Sequence, residues 1–141
     1  MIESSVPLPP LATPAPRDTL QAVRRGAASR CPACGARTLF TRYLKVADTC
    51  SSCGEALHHH RADDAPPYFT IFIVGHVVVA GAMMLEKAYE PSSLVHTAIW
   101  VPLTLGLSLF LLPRIKGALI GLQWALRMHG FSGTEDPIPQ P

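Results

Sequence analysis

Four cysteines within a short stretch are the side chains of this chain best suited to chemistry. They form two Cys-x-x-Cys pairs, Cys31/Cys34 and Cys50/Cys53, and a glycine follows each pair. Two thiolates that are two residues apart can reach one ion from a single tight turn, and two such turns complete a tetrahedron of sulfur ligands. The spacing therefore predicts a four-cysteine zinc site, built as a zinc ribbon over residues 29–57 with a short β-hairpin between the pairs.

Other uses of the cysteines are weaker but remain open. Iron fits the same tetrathiolate geometry, as in rubredoxin-like sites, and redox chemistry of a Cys-x-x-Cys pair would need a βαβ context that the sequence lacks. Four thiolates leave no free position for water or substrate, so the site is expected to be structural. Basic residues close by in sequence would offset the negative charge of the centre: Arg30, Arg37, Arg42 and Lys45.

Two apolar segments follow the cysteines. Residues 67–85 and 94–112 each contain nineteen residues without a formal charge. At about 1.5 Å per residue, each would span about 28 Å, close to the thickness of the hydrocarbon layer. The mostly polar residues 86–93 join them, so the sequence predicts a transmembrane hairpin over residues 67–112. The predicted fold class is a mainly α membrane protein that carries a small N-terminal zinc ribbon.

The basic residues predict how the hairpin is oriented. Eleven of the twelve Lys and Arg residues flank it on the terminal sides, and only Lys87 lies between the spans. By the positive-inside rule, both termini should be cytoplasmic in a multi-pass protein of the bacterial inner membrane. A net charge of +2 gives no reason to expect a nucleic-acid partner.

The flanking segments have distinct compositions. Residues 1–28 are rich in proline and are predicted to be a disordered tail. Residues 114–129 have apolar side chains at helical spacing, which predicts an interfacial amphipathic helix with Trp124 at the lipid headgroups. The spacing Gly117-x3-Gly121 within it is a possible, though weak, helix-packing contact. Residues 130–141 are predicted to be a second loose tail.

Polar and small residues inside the spans suggest partner helices. An ionisable residue at mid-span, such as His76, is a functional candidate, and we expect a neutral imidazole that bonds to a neighbouring helix. His96, near the far end of the second span, differs from it in depth by roughly 11 Å, too much for both to bind one haem iron. Gly75 and Gly81 would let another helix approach closely. The run His58–His60 is expected to be a solvated loop.

No catalytic constellation is apparent. The sequence contains no nucleophile–base pair or phosphate-binding loop, and Asp63 and Asp64 are interpreted as helix-capping residues before Pro66 and Pro67. We therefore expect a non-enzymatic protein that packs against a larger membrane complex. The alternative is a carrier of metal or redox equivalents that uses the cysteine cluster.

The chain resembles a bacterial membrane family known as domain of unknown function 983. The resemblance covers roughly residues 29–131 and rests on the first cysteine pair, "LFTRYLKVADTCSSCGE", "RADDAPPYFTIFIVGHVVV" and "PRIKGALIGLQWALRMHGF". The chain departs from the family pattern at Ala65-Pro66-Pro67 and in its triple histidine. Related genes lie near those for cytochrome c oxidase and its assembly factors. The resemblance thus implies an accessory subunit or assembly factor of a respiratory terminal oxidase.

Overall fold

The computed structural model describes residues 15–61 and 64–133. Within these residues the chain forms three helices and one small antiparallel sheet of two strands. The predicted fold class is confirmed, because the described chain is mainly helical, with two long apolar helices and a small sheet beside the cysteines. In chain order the elements are α1 (Thr19–Ala27), β1 (Phe40–Arg42), β2 (Lys45–Val46), α2 (Ala65–Tyr89) and α3 (Ser93–Ala125).

Helices α2 and α3 are long and apolar enough to cross a membrane. Their most apolar windows have mean hydropathies of 2.0 and 1.8, and only 11% and 0% of these windows are buried within the chain. A core helix of a soluble protein would instead be covered by neighbouring elements. The exposed apolar surface of both helices therefore indicates a membrane protein.

The connection between α2 and α3 is shorter than the predicted loop over residues 86–93. Helix α2 continues to Tyr89 and α3 begins at Ser93. Glu90 ends α2 in the left-handed conformation, with φ of 44°, and its N–H donates to the carbonyl of Glu86 at 3.0 Å. This hydrogen bond ends α2 within one residue, so only residues 90–92 separate it from α3.

The start of α2 partly matches the capping interpretation. Asp64 occupies the N-cap position and prolines lie in the first turn, as predicted, but the Asp64 side chain makes no capping hydrogen bond. Proline is tolerated there because the first N–H groups of a helix have no intrahelical acceptor. Asp63 lies outside the described residues.

The prediction of a separate interfacial helix over residues 114–129 is wrong. Helix α3 continues through Pro113 to Ala125 as one element of 33 residues. At about 1.5 Å per residue it is roughly 50 Å long, whereas the hydrocarbon layer is about 30 Å thick. About 20 Å of α3 can therefore project beyond the membrane as an extension of the second span.

A tertiary hydrogen bond satisfies the carbonyl that Pro113 leaves without a helical donor. Proline has no N–H, so the carbonyl of Leu109 loses its usual donor four residues further along. The hydroxyl of Tyr43, at the tip of the β1–β2 hairpin, donates to this carbonyl at 2.8 Å. The carbonyl is thereby satisfied by the ribbon, and the helix continues past the proline.

The disorder predicted for residues 1–28 is wrong for their C-terminal part. Residues Thr19–Ala27 form α1, which Asp18 caps by accepting a hydrogen bond from the N–H of Gln21 at 3.0 Å. A helix of 9 residues is marginal by itself in water, so its stability must come mainly from packing. Residues 1–14 and, in the second predicted tail, residues 134–141 lie outside the described residues.

Helix α1 packs closely on the projecting part of α3 through small residues on both helices. A Cβ atom on Gly117 would collide with the carbonyl of Gly26, and one on Gly121 would collide with the carbonyl of Ala22. Small residues at i and i+4 on both sides thus bring the two backbones into contact. The weak Gly117-x3-Gly121 signal marks a real packing site, and its partner lies within the same chain.

The end of α3 is held to the N-terminal segment and to the ribbon through Trp124, the residue predicted to lie among lipid headgroups. The indole N–H of Trp124 donates to the carboxylate of Glu55 at 2.9 Å. The guanidinium of Arg17 lies 4.2 Å from the centre of the indole ring and donates to the Trp124 carbonyl at 2.6 Å. The indole therefore contacts residues from two other parts of the chain, the segment before α1 and the ribbon.

The ribbon shares its hydrophobic core with α3. Ile120 and Leu39 are both 0% exposed, and each belongs to one cluster that includes two of the cysteines. Leu119 and Phe40 pack at its margin. The ribbon, α1 and the end of α3 therefore form one unit.

We expect Gly117→Ala to destabilise this unit, because the added methyl group would push the backbones of α1 and α3 apart. Overpacking of this kind costs about 1–3 kcal/mol. Thermal unfolding of the purified protein in detergent, followed by circular dichroism, measures the change. Gly106→Ala is the matched control, since a Cβ atom there meets no neighbour and alanine favours a helix. Equal melting temperatures for both variants would contradict the close crossing.

Candidate metal centre

Two turns of the same construction present the four cysteines. In the first turn the N–H of Gly35 donates to the carbonyl of Cys31 at 2.9 Å, and in the second the N–H of Gly54 donates to that of Cys50 at 2.8 Å. The two glycines have φ values of 81° and 75°, where side chains with a Cβ atom are strained. Each turn aims its pair of thiols at the same point, as the glycines after each pair predict.

The sulfur atoms have the spacing of a tetrahedral site. All four Sγ atoms lie within 4.8 Å of one another, with 3.8 Å between Cys31 and Cys53 and 3.7 Å between Cys34 and Cys50. Metal–sulfur bonds of about 2.3 Å give a tetrahedron with edges of about 3.8 Å, whereas disulfide sulfurs lie about 2.0 Å apart. The four predicted ligands are therefore brought together with the geometry that one metal ion requires.

The thiols of Cys50 and Cys31 ionise differently. Burial raises the pKa of Cys50, but hydrogen bonds from the Thr38 hydroxyl and from backbone N–H groups outweigh it and lower this pKa to about 6. Burial raises the pKa of Cys31 to about 12, and its backbone hydrogen bonds offset this only in part. Of the two buried thiols, Cys50 thus ionises more readily than Cys31, and a bound cation would have to displace the proton of Cys31.

Arginines hold the first turn from outside. Arg25, on α1, donates to the carbonyls of Pro32 and Ala33 at 3.1 and 2.8 Å, and Arg30 donates to the carbonyl of Gly35 at 3.3 Å. Both place positive charge beside the thiolates. Arg30 was expected from its nearness in sequence, but Arg25 was missed because it falls in the segment predicted to be disordered.

The centre is closed on one side and open on the other. Cys31 and Cys50 are buried in the core shared with α3, whereas Cys34 and Cys53 are exposed. A groove of about 610 Å³ beside Cys34 is lined partly by Arg24. In each Cys-x-x-Cys pair, one cysteine is therefore buried in the protein and the other is accessible to solvent.

Comparison with known proteins agrees with this architecture. Residues 40–124, more than half of the chain, match the model of a family described as "Protein of unknown function (DUF983)". The chain belongs to the DUF983 family. The match includes the second cysteine pair, both long helices and the extension of α3. No curated protein and no solved structure matches the chain.

The intramembrane candidates of this DUF983 protein make contacts that differ from those expected. His76 bonds through Nδ1 to the carbonyl of Phe72 at 2.7 Å, in its own helix and not in a neighbouring one. Gly81 accommodates the ring of Trp100 from α3, so it serves the hairpin itself. Gly75 faces open space, where a Cβ atom would meet nothing within 4 Å.

His96 joins the two long helices at the end far from the cysteines. Its Nε2 lies 2.9 Å from a carboxylate oxygen of Glu86, and its Nδ1 accepts a hydrogen bond from the indole of Trp100 at 3.1 Å. Because Nδ1 accepts, Nε2 carries the proton and donates to Glu86. His96 therefore stabilises the hairpin and does not approach His76.

The histidine run makes local contacts. The Nδ1 atoms of His58 and His60 bond to the carbonyls of Asp48 and Leu57, and the ring centres of His58 and His59 lie 4.0 Å apart with the rings tilted by 40°. Over residues 15–61 and 64–133, the only group of three or more potential metal ligands is the cysteine cluster.

We expect the purified protein to contain about one zinc ion per chain, and Thr38→Val to weaken its binding. The variant loses the hydroxyl that lies 2.9 Å from the Cys50 sulfur, so the pKa of that thiol rises above about 6. Loss of such an outer hydrogen bond typically lowers metal affinity about 10- to 100-fold. Competition with a chromophoric chelator at neutral pH measures the affinity.

Thr41→Val is the matched control for Thr38→Val. Its hydroxyl donates to the carbonyl of Lys45 at 3.3 Å on the exposed hairpin, away from the sulfur atoms. Zinc affinity in this variant should equal that of the native protein. Equal affinities for all three proteins would show that the Thr38 hydroxyl does not stabilise the centre.

Proposed function

We propose that this DUF983 protein is a non-catalytic accessory or assembly protein of a larger complex in the bacterial inner membrane. Its transmembrane hairpin packs against other membrane subunits, and its ribbon holds a structural zinc ion in the cytoplasm. The family resemblance suggests a respiratory terminal oxidase, cytochrome c oxidase, as the complex.

The observation that carries this proposal is the outward position of His76 at mid-span. The side chain is exposed, and its Nδ1 already donates to the carbonyl of Phe72. Nε2 is then an acceptor that has no partner among residues 15–61 and 64–133. An unpaired polar atom in hydrocarbon is costly, so a donor on another protein's helix would stabilise it. Open space at the adjacent Gly75 would let that helix approach.

The shared core supports a structural role for the zinc ion. Cys31 and Cys50 pack with Ile120 of α3, so release of the ion would disturb a core that includes a membrane helix. The role of the metal in a site of this kind is to stabilise the fold. Four thiolates are the usual ligand set of structural zinc, although iron also accepts it.

A metal carrier is the second candidate, and one observation favours it. The exposed thiols of Cys34 and Cys53 are accessible to the ligands of a recipient protein. A transfer reaction needs such access, because the recipient must replace the donor's ligands one at a time. The buried pair opposes release, and this contrast is the reason for our preference.

Co-purification tests the accessory role. We expect a tagged chain, extracted from native membranes in a gentle detergent, to be recovered with a respiratory complex in a fixed ratio. His76→Leu should reduce this recovery several-fold and leave the zinc content unchanged. Ile71→Leu, an exposed residue on a different face of α2, is the control and should not change the recovery.

The outcomes separate the two candidates. If the native chain is recovered alone at its natural abundance, the accessory role is wrong. If the bound metal exchanges readily with a recipient protein while no stable complex is recovered, the carrier role is supported. Equal recovery with the His76 and Ile71 variants would place the partner on another face of the hairpin.

We also expect both termini to be cytoplasmic. Eleven of the twelve Lys and Arg residues lie outside the hairpin on its terminal sides, which favours their retention in the cytoplasm. Reporter fusions that are active on only one side of the membrane, placed at the C-terminus and in the turn at residues 90–92, measure this. A C-terminus on the periplasmic side would contradict the orientation.

A further inference from the structure

The tip of the β1–β2 hairpin carries two opposed positive charges. Arg42 and Lys45 are cross-strand partners, and both side chains are exposed. Directly opposed residues of an antiparallel pair have Cβ atoms about 4.5–5.5 Å apart, and like charges at that position destabilise the hairpin. An anion between the two side chains would relieve this repulsion.

Contacts with α3 fix the position of this tip along the membrane helix. Between the two cations, Tyr43 donates to the carbonyl of Leu109, and the carbonyl of Leu44 accepts a hydrogen bond from the Lys116 ammonium at 2.9 Å. Leu109 belongs to the uncharged segment that spans the membrane. The tip therefore lies where hydrocarbon gives way to headgroups, with its cations beside the bilayer surface.

Arg114 adds positive charge at this level of α3, although on a helix of about 3.6 residues per turn it points to nearly the opposite side from Lys116. Arg114 is exposed, and its guanidinium lies 3.7 Å from the centre of the Phe110 ring. In the part of the chain that the structure describes, the carboxylates within 4.0 Å of a basic side chain are Glu55, beside Arg17, and Glu86, which accepts from neutral His96; both lie away from the tip. The cations near the tip thus have no carboxylate partner there.

We propose that the hairpin tip and the adjacent turn of α3 form a binding seat for the phosphate headgroup of an anionic phospholipid. The seat consists of Arg42 and Lys45 on the hairpin tip and of Lys116 on α3, whose ammonium bonds to the carbonyl of Leu44. Guanidinium and ammonium groups donate charge-assisted hydrogen bonds to phosphate oxygens, and the lipid's acyl chains extend along the exposed apolar surface of the span. Because the tip lies at the membrane surface, we expect its phosphate ligand to be part of a lipid and not free phosphate.

Native mass spectrometry of the full-length, zinc-loaded protein in detergent tests the seat. Phosphatidylglycerol and phosphatidylcholine with the same acyl chains are titrated separately. We expect the native chain to bind phosphatidylglycerol preferentially and the double variant Arg42→Gln/Lys45→Gln to bind it roughly 10- to 30-fold more weakly. Inorganic phosphate at the same concentration should not displace the lipid.

Arg24→Gln/Arg37→Gln is the matched control, because it removes the same charge from two exposed arginines outside the seat. Its affinity for phosphatidylglycerol should stay within about threefold of the native value. Equal losses in both double variants would overturn the proposal, since they would show attraction by net charge alone. Displacement by inorganic phosphate would also overturn it.

Thermal unfolding provides a second readout that also checks folding. In lipid-free detergent, Arg42→Gln/Lys45→Gln should melt at the native temperature or above it, because the repulsion across the hairpin is removed. Added phosphatidylglycerol should raise the melting temperature of the native chain and of the control variant, but not of this variant. A rise of equal size in all three proteins would contradict a seat at the tip.

Discussion

The burial of Ile120 in the core of the ribbon is the contact on which the rest of the structure depends. A metal ribbon of about thirty residues encloses too little apolar surface to be stable by its side chains alone. Here Ile120 completes the core that Leu39 and Leu57 begin, and all three are fully buried. Because Ile120 belongs to a membrane helix, the ribbon can form this core only where that helix leaves the bilayer. Helix α3 must therefore be longer than the membrane is thick, because its end supplies part of the core of the ribbon.

The close crossing of α1 and α3 follows from the same requirement. A helix that inserts one face into the ribbon has its other faces exposed at the membrane surface. Helix α1 covers one of them, and Gly26 and Gly117 let it approach until the backbones touch. Arg25 on α1 then reaches the carbonyls of the first cysteine turn. One short helix thus covers the extension of α3 and also holds the metal-binding turn.

The sequence predicts those parts of the fold that depend on local chemistry. Cysteine spacing defines the metal centre because each pair needs only its own turn, and the spans are recognisable from length and composition. The predictions fail where a contact with a residue distant in sequence determines the local structure. Local rules predict that Pro113 ends the helix, but the Leu109 carbonyl that it leaves without a helical donor accepts a hydrogen bond from the hydroxyl of Tyr43, 66 positions before Leu109. Helix α1 has local signals, the Asp18 N-cap and the absence of proline between Pro16 and Pro32, but a helix of 9 residues is marginal alone, and its packing on α3 cannot be read from them.

Metal binding and the position of α3 are linked, because they share side chains. Cys31 and Cys50, two of the four cysteines placed to hold a metal ion, belong to the same cluster that encloses Ile120. A bound ion therefore favours the arrangement in which α3 continues straight from the membrane into the ribbon. Linkage is reciprocal, so any contact that stabilises this arrangement, whether from a partner helix or from a lipid at the hairpin tip, must strengthen metal binding by the same free energy. In this architecture the four-cysteine cluster and the end of α3 share one hydrophobic core, so a contact that stabilises one also stabilises the other.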